Sequence, residues 1–404
     1  MIERVVIVGA SLAGGTAAAS LREEGYEGSI LLIGAEVHHP YERPPLSKSY
    51  LRGETSFVDA LVRPESFYAT NDIQLLLNVK ATSLDPGART VTVEGEGPIP
   101  FDRLLIATGA RNRRLPVPGL DLEGVLGLRT LDDCERIRAE IEPGRVAVVV
   151  GMGFIGCEVT ASLRQRGVEV TAVHGSAVPL QRILGYRLGH VLEGIHRDNG
   201  VKIIPGDRVA AFEGSERVER VVTSGGKVLE CDFAVVGMGV EPLTELVVGS
   251  GIEVDDGVVV DEFCRTNADG VYAAGDVANH FHPVFAQRLR TEHWFNAKRQ
   301  GRAAALSMVG KSGPYDEVPW FWSDQYEHNF QYAGFHREWD ELVVRGSLEE
   351  RNFLAFYMKD GRVQATATLS RGPQCRRSVS LIRAHAVVER SRLEDETLDI
   401  RTLV

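Results

Sequence analysis

RVAVVVGMGFIGCEVTASLRQRGVEVTAV, residues 145–173, decides how the chain is built. Val146 to Val150 form a short apolar run of the kind buried on both faces of a parallel sheet. Gly151, Gly153 and Gly156 make a glycine turn, Cys157 to Arg166 read as a helix, and Val168 to Val173 as a second strand. The same unit appears earlier as RVVIVGASLAGGTAAASLREEGYEGSILLI, residues 4–33, with Arg4–Val8 as strand, Gly9, Ser11 and Gly14 as turn, an alanine-rich helix from Thr16 to Glu24, and Ser29–Ile33 as second strand. Strand, glycine turn, helix and strand make a βαβ unit. The main-chain N–H groups of such a turn, with the helix dipole behind them, face an anion such as a pyrophosphate. Two copies predict two Rossmann-like dinucleotide sites in an α/β fold, or one duplication with a single surviving site, and the flanking chemistry favours two. Ser11 stands where the backbone should approach the phosphate most closely, so the first copy matches less fully.

Further short apolar runs at Arg103–Ala107, Phe233–Val236 and Gly270–Ala273 predict strands, and Glu292 to Val309 a helix. From Trp320 onward aromatics cluster, and alternating segments at Glu341–Arg345 and Phe353–Met358 predict antiparallel strands of a C-terminal α+β domain. The expected organisation is a discontinuous first dinucleotide-binding domain (1–112 and 243–319), a second dinucleotide-binding domain (113–242) and the C-terminal domain (320–404).

The chain has 404 residues, enough for two or three domains. It carries 45 Lys and Arg against 56 Asp and Glu, a net charge of −11, which argues against nucleic-acid binding. No apolar run approaches the roughly 20 residues of a membrane span, and MIERVVIVGA enters a strand at once, without a signal peptide's basic and cleavage regions. Five scattered cysteines form no CxxC pair. The expectation is a reduced, cytoplasmic protein with neither disulfides nor a metal site.

An acidic residue near the end of the second strand of each unit should hold a ribose hydroxyl and repel a 2′-phosphate. Glu36 lies there after the first unit. His174 lies there after the second, which leaves NADH against NADPH open.

PYERPPLSK at 40–48, ATGA at 107–110, GMGFIGCE at 151–158, VYAAGDVA at 271–278, EHWFNAKRQG at 292–301 and WFWSDQY at 320–326 occur in that order along the chain. Together with the two glycine turns they resemble the putidaredoxin-reductase-like, oxygenase-coupled ferredoxin reductases, a group of FAD-dependent pyridine nucleotide oxidoreductases. The resemblance implies FAD held by Gly9, Ser11, Leu12, Ala13, Gly14, Ala35, Glu36, Arg43, Lys48, Ala81, Ala107, Thr108, Gly109, Arg129, Gly275, Asp276, Glu292, His293, Trp294 and Trp322. It implies NAD(P)H held by Gly151, Gly153, Phe154, Ile155, Gly156, Glu158, His174, Gly237 and Gly239. Lys48 and Glu158 are the implied pair beside flavin N5, with Trp294 beside the isoalloxazine and Trp322 near the nicotinamide stack. The glutathione-reductase-like CxxxxC pair is missing, which excludes a dithiol relay.

The implied activity moves a hydride from a nicotinamide to FAD. Single electrons then pass to a [2Fe-2S] ferredoxin serving a monooxygenase or ring-hydroxylating dioxygenase. Positioning then outweighs acid–base chemistry. An acidic ferredoxin would dock on a basic patch, with Arg288, Arg290, Lys298, Arg299, Arg302, Arg371, Arg376, Arg377 and Arg383 as candidates. Alternatives are a flavin NAD(P)H oxidase, a rubredoxin or nitrite reductase component, and a redox-sensing flavoprotein resembling apoptosis-inducing factor.

Overall fold

Valine, leucine and isoleucine runs build two parallel sheets. In the computed structural model, which describes residues 2–403, the chain forms two compact units. One comprises residues 1–42, 57–111 and 241–320, the other residues 43–56, 112–240 and 321–404.

In the first unit five parallel strands lie in the order Val271–Ala273, Arg103–Ile106, Arg4–Val8, Ser29–Ile33, Ile73–Leu76. Val6 pairs with Leu31 on one side and Leu104 on the other. Val5, Val6 and Ile7 are wholly buried, as a strand covered on both faces must be. Antiparallel strands Ala81–Asp85, Thr90–Val93 and Gly97–Pro100 extend the unit.

The second unit repeats the plan in the order Lys202–Pro205, Glu169–His174, Val146–Val150, Phe233–Val236, Val125–Gly127. Its C-terminal part is an antiparallel sheet ordered Trp320–Gln325, His328–Gly334, Arg362–Leu369, Asn352–Lys359, Glu341–Ser347, with helix Gly372–Arg383 packed on it.

Both glycine-turn helices start earlier than propensity suggests. The first runs Leu12–Glu23, not from Thr16, and the second Phe154–Gln165, not from Cys157. Gly14, Gly15 and Gly156 lie inside these helices, although each glycine costs about 1 kcal/mol there relative to alanine. Packing overrides that cost. A Cβ on Gly14 would stand 2.0 Å from the Gly9 carbonyl oxygen, and one on Gly156 2.0 Å from that of Gly151. The third predicted helix is Trp294–Met308, which leaves Glu292 outside it and makes His293 its N-cap. Helix Gln181–Asp198, interrupted at Gly185 (φ 73°), and the hairpin strands Ala278–His282 and Gln287–Arg290 were not anticipated.

Candidate functional site

In the first unit the turn after Arg4–Val8 is built for close approach. Gly9 (φ 120°) presses on the neighbouring chain so tightly that a Cβ would meet Ala107 O at 2.0 Å and Thr108 N at 2.9 Å. Ser11 is the N-cap but makes no side-chain capping bond, so the first-turn N–H groups of Leu12, Ala13 and Gly14 are not consumed by a cap. Thr108 Oγ bonds Leu243 O at 2.7 Å, and Gly109 O accepts from Leu243 N at 2.9 Å. Gly275 packs against Ala13, and its N–H donates to Gln300 Oε1 at 2.9 Å. Ala13, Ala107, Gly275 and Asp276 are thereby drawn around one helix N-terminus.

Glu36 follows the strand Ser29–Ile33 and accepts a hydrogen bond from Tyr41 Oη at 2.5 Å. The chain just before Ala81 is pinned beside it: Asn78 N donates to Glu36 O at 3.0 Å and Val79 N to Gly34 O at 3.1 Å, flanking Ala35. His293, the N-cap of the third helix, is held down at about 4 by burial, against the pull of the Asp276 carboxylate. Lys298 Nζ lies 4.6 Å from the Trp294 ring centre. Glu42, absent from the sequence reading, joins this group. Burial pushes its carboxyl above the usual range, while Lys298 and a hydrogen bond to Trp294 oppose that. Glu292 pairs with Arg290 at 2.5 Å.

The second unit contains a turn of the same design. Gly151 (φ 94°) has no room for a Cβ, which would meet Gly237 O at 2.4 Å. Gly237 N in turn donates to Val150 O at 2.8 Å. Gly153 is the N-cap, has no side chain, and faces open space. Ile155 and Met238 are exposed apolar residues, and a Cβ on Gly239 (φ 83°) would meet open space, while its carbonyl accepts from Arg113 N at 3.0 Å. Phe154 packs edge-on against Phe321 with centroids 4.6 Å apart. His174 ends the strand Glu169–His174 and is buried, and its Nε2 has no partner among the described residues. Burial lowers its pKa, with Glu193 and Arg197 acting in opposite directions. The ring is therefore neutral near pH 7.

Lys48 and Glu158 meet in this unit, as expected. Nζ lies 2.5 Å from Oε2, and both residues are buried. Oε2 also accepts from Ser47 Oγ at 2.5 Å, and Oε1 from Ser323 Oγ at 2.7 Å. Ser47, Ser323, Gln325 and His196 were missed. The pattern of Trp320–Gln325 carried a signal for two of them. Phe321, Ser323 and Gln325 are buried on one face, while Trp322 and Asp324 lie on the other, joined by a 3.1 Å bond from Trp322 Nε1. Arg43 donates to Arg129 O, and Arg129 N to Asp133 Oδ2 at 3.0 Å, ahead of the capping box at Thr130.

All five cysteines are free and buried. Burial pushes Cys134, Cys231 and Cys375 up to about 12, and Cys157 and Cys264 upward as well. A thiolate relay has no starting group. Among the described residues no helix is long and apolar enough to cross a membrane.

Two uncapped glycine turns at the C-terminal ends of parallel strands are cradles for two dinucleotides. The residues fit both: no side chain caps the first-turn N–H groups of either helix, glycine spares the space a Cβ would fill, and His174 Nε2 has no partner among the described residues. Fold and site define a two-dinucleotide oxidoreductase. Residues 3–301 match the pyridine nucleotide-disulphide oxidoreductase model and residues 320–404 the reductase C-terminal model. The chain is 37% identical to the ferredoxin reductase component of a chlorobenzene dioxygenase from Cupriavidus sp. strain PS12, covering 100% of this chain and 98% of that protein. It is 34% identical to putidaredoxin reductase of Pseudomonas putida, covering 100% and 97%. The reductase in a covalent putidaredoxin reductase–putidaredoxin complex superposes with a TM-score of 0.96 at 35% identity, covering 99% and 98%. The chain belongs to the pyridine nucleotide-disulphide oxidoreductase family, with the reductase C-terminal region of its ferredoxin reductases. It is an oxidoreductase whose cofactors are FAD and NADH.

Proposed function

We propose that the chain takes electrons from NADH and delivers them singly to a [2Fe-2S] ferredoxin serving a monooxygenase or ring-hydroxylating dioxygenase. The observation that carries this reading is the buried Lys48–Glu158 pair, held at 2.5 Å within a chain that aligns end to end with oxygenase-coupled reductases. Bound FAD supplies a two-electron hydride acceptor that can release its electrons one at a time.

The rest of the chemistry belongs to the protein. The N–H groups of 12–14 bind the FAD pyrophosphate, and Glu36 accepts from its ribose. Asp276 and the N-terminal end of the helix Trp294–Met308 orient the flavin. Arg43, Arg129, Trp322 and Ala81 complete its surroundings. The N–H groups of 154–156 bind the NADH pyrophosphate, with Gly237 and Gly239 leaving room beside them. His174 Nε2 meets an adenosine ribose hydroxyl. A neutral ring offers a 2′-phosphate no charge, which favours NADH. Lys48, buried and paired with Glu158, would supply a fixed positive charge to the bound flavin. The three-domain division drawn from the sequence remains the preferred functional partition. Five free thiols fit a reducing cytoplasm.

Docking uses exposed basic groups. Helix Gly372–Arg383 presents Arg376, Arg377 and Arg383 to solvent. Lys298 and Arg299 lie over Trp294 and Phe295. Other candidates are engaged inside the fold: Arg288 with Val260 O and Asn279 O, Arg290 with Asp256 and Glu292. Arg302 pairs with Glu24, and Arg371 with Glu396.

Lys48→Ala should slow anaerobic flavin reduction by saturating NADH about 10²-fold in stopped flow, and an unchanged rate removes Lys48 from the reaction. Cytochrome c reduction should require an added [2Fe-2S] ferredoxin and fall with salt, while dye reduction does not. Equal salt sensitivity of the two assays refutes charged docking.

A further inference from the structure

Glu158 is the first member of a buried hydrogen-bonded row that leads away from Lys48. Ser323 Oγ lies 2.7 Å from Glu158 Oε1, Gln325 Nε2 lies 3.1 Å from Ser323 Oγ, and Gln325 Oε1 lies 3.0 Å from His196 Nε2. His196 Nδ1 is 3.2 Å from Tyr326 Oη. Glu158 is 3% exposed, Gln325 2%, and Ser323 and His196 0%, so no solvent competes for these bonds.

The donor inventory sets the direction of each link. A carboxylate beside an ammonium only accepts, so the Ser323 hydroxyl donates to it. The Ser323 oxygen then accepts from the Gln325 amide nitrogen. This turns the Gln325 carbonyl toward His196, which must donate from Nε2. Burial holds His196 down at about 4, so the ring is neutral and carries one N–H. Nδ1 is therefore the acceptor for Tyr326. Tyr326 itself has φ 55°, a left-handed conformation uncommon for tyrosine, at the turn leading into the strand His328–Gly334. Every hydrogen in the row points toward Glu158.

We propose that Ser323, Gln325 and His196 form a one-directional relay that locks the Glu158 carboxylate and thereby positions Lys48, with Gln325 and His196 as positioning residues for flavin reduction. The inference rests on the reading of Lys48 and Glu158 as the pair that serves the flavin. It gives Ser323 and Gln325 of the strand Trp320–Gln325, and His196 of the helix Gln181–Asp198, a share in the reaction through Glu158. A half-satisfied buried network loosens its members, whereas a fully satisfied one fixes them. Glu158 freed from Ser323 gains other rotamers, and Lys48 Nζ follows it.

The test uses the holoenzyme. Nitrogen-15 NMR of histidine-labelled protein should find His196 as the Nε2–H tautomer alone. In Glu158→Gln the new amide can donate to Ser323, the row can reverse, and both tautomers should appear. A local packing role for His196 would leave its tautomer indifferent to a change at Glu158. In stopped flow, His196→Phe and Gln325→Leu should cut the limiting rate of flavin reduction about 10-fold with NADH affinity unchanged. His196→Gln, which keeps a donor near the Nε2 position, should restore most of the rate. An Nδ1–H tautomer in the wild type, a tautomer unmoved in Glu158→Gln, or wild-type rates in both His196→Phe and Gln325→Leu overturns the relay. Slow reduction in Lys48→Ala beside any of those results leaves the Lys48–Glu158 reading standing. Fast reduction in Lys48→Ala removes that reading and the relay's catalytic role with it.

Discussion

Gly156→Ala separates NADH binding from flavin retention. Its Cβ would stand 2.0 Å from Gly151 O, where a carbon and a carbonyl oxygen need about 3.3 Å. Turn and helix must part by about 1.3 Å. Gly151 cannot give way: its N–H is tied to Val173 O at 2.8 Å, and its own Cβ position lies 2.4 Å from Gly237 O. The helix Phe154–Gln165 has to move, carrying the N–H groups proposed to meet the NADH pyrophosphate. Overpacking of this kind costs about 1–3 kcal/mol, and one weakened charge-assisted bond a similar amount. NADH affinity should therefore fall about 10- to 100-fold. The thermal midpoint should drop by about 2–4 °C for each kcal/mol lost. Flavin content should change little, because the Gly9–Gly14 turn proposed to hold the FAD pyrophosphate is not displaced by the substitution. Equilibrium titration with NADH, calorimetry and the flavin absorbance ratio measure the three quantities. Unchanged NADH affinity, or flavin lost in parallel, refutes the assignment of this turn.

His174→Glu should raise the NADH over NADPH preference in kcat/KM about 10-fold, since a carboxylate repels the 2′-phosphate that a neutral imidazole tolerates; an unmoved ratio places the ribose elsewhere. Burial holds His196, His293 and His336 down at about 4 and His280 at about 3. The unfolded chain binds these protons below about pH 6.5 and the folded chain does not. Stability should therefore be intact above that pH and decline as pH falls toward 4. Denaturant titrations across this range should show a shallower slope in His196→Gln, and an identical slope counts against a buried neutral His196. Arg345 is buried and donates to Leu393 O at 2.6 Å, Leu398 O at 3.0 Å and Arg392 O at 3.1 Å. Arg345→Met strands those carbonyls and should cost about 2–4 kcal/mol, with faster proteolysis of residues 390–403; unchanged stability would show that the segment is held by other contacts.

Much of the site was legible because nearby residues produce it. Valine runs next to glycine turns reported buried parallel strands, and the family resemblance carried by PYERPPLSK and GMGFIGCE implied Lys48 and Glu158. The helix starts were misread because propensity charges Gly14 and Gly156 a cost, while the backbone packed against them leaves room for nothing larger. Ser323 and Gln325 share a face that strand alternation implies, but only pairing and burial reveal that the face turns toward Glu158. His196, more than 100 residues from Gln325 along the chain, carried no signal at all. From the linear chain alone came the class of fold and the two dinucleotide turns, since strand period and turn chemistry depend on neighbours in sequence; the Lys48–Glu158 pair, 110 residues apart, was implied only by the family resemblance. The order of the strands, the exclusion of Cβ atoms at the turns and the direction of the buried hydrogen bonds were decided by the tertiary structure. Each depends on which distant groups share a place that water cannot enter.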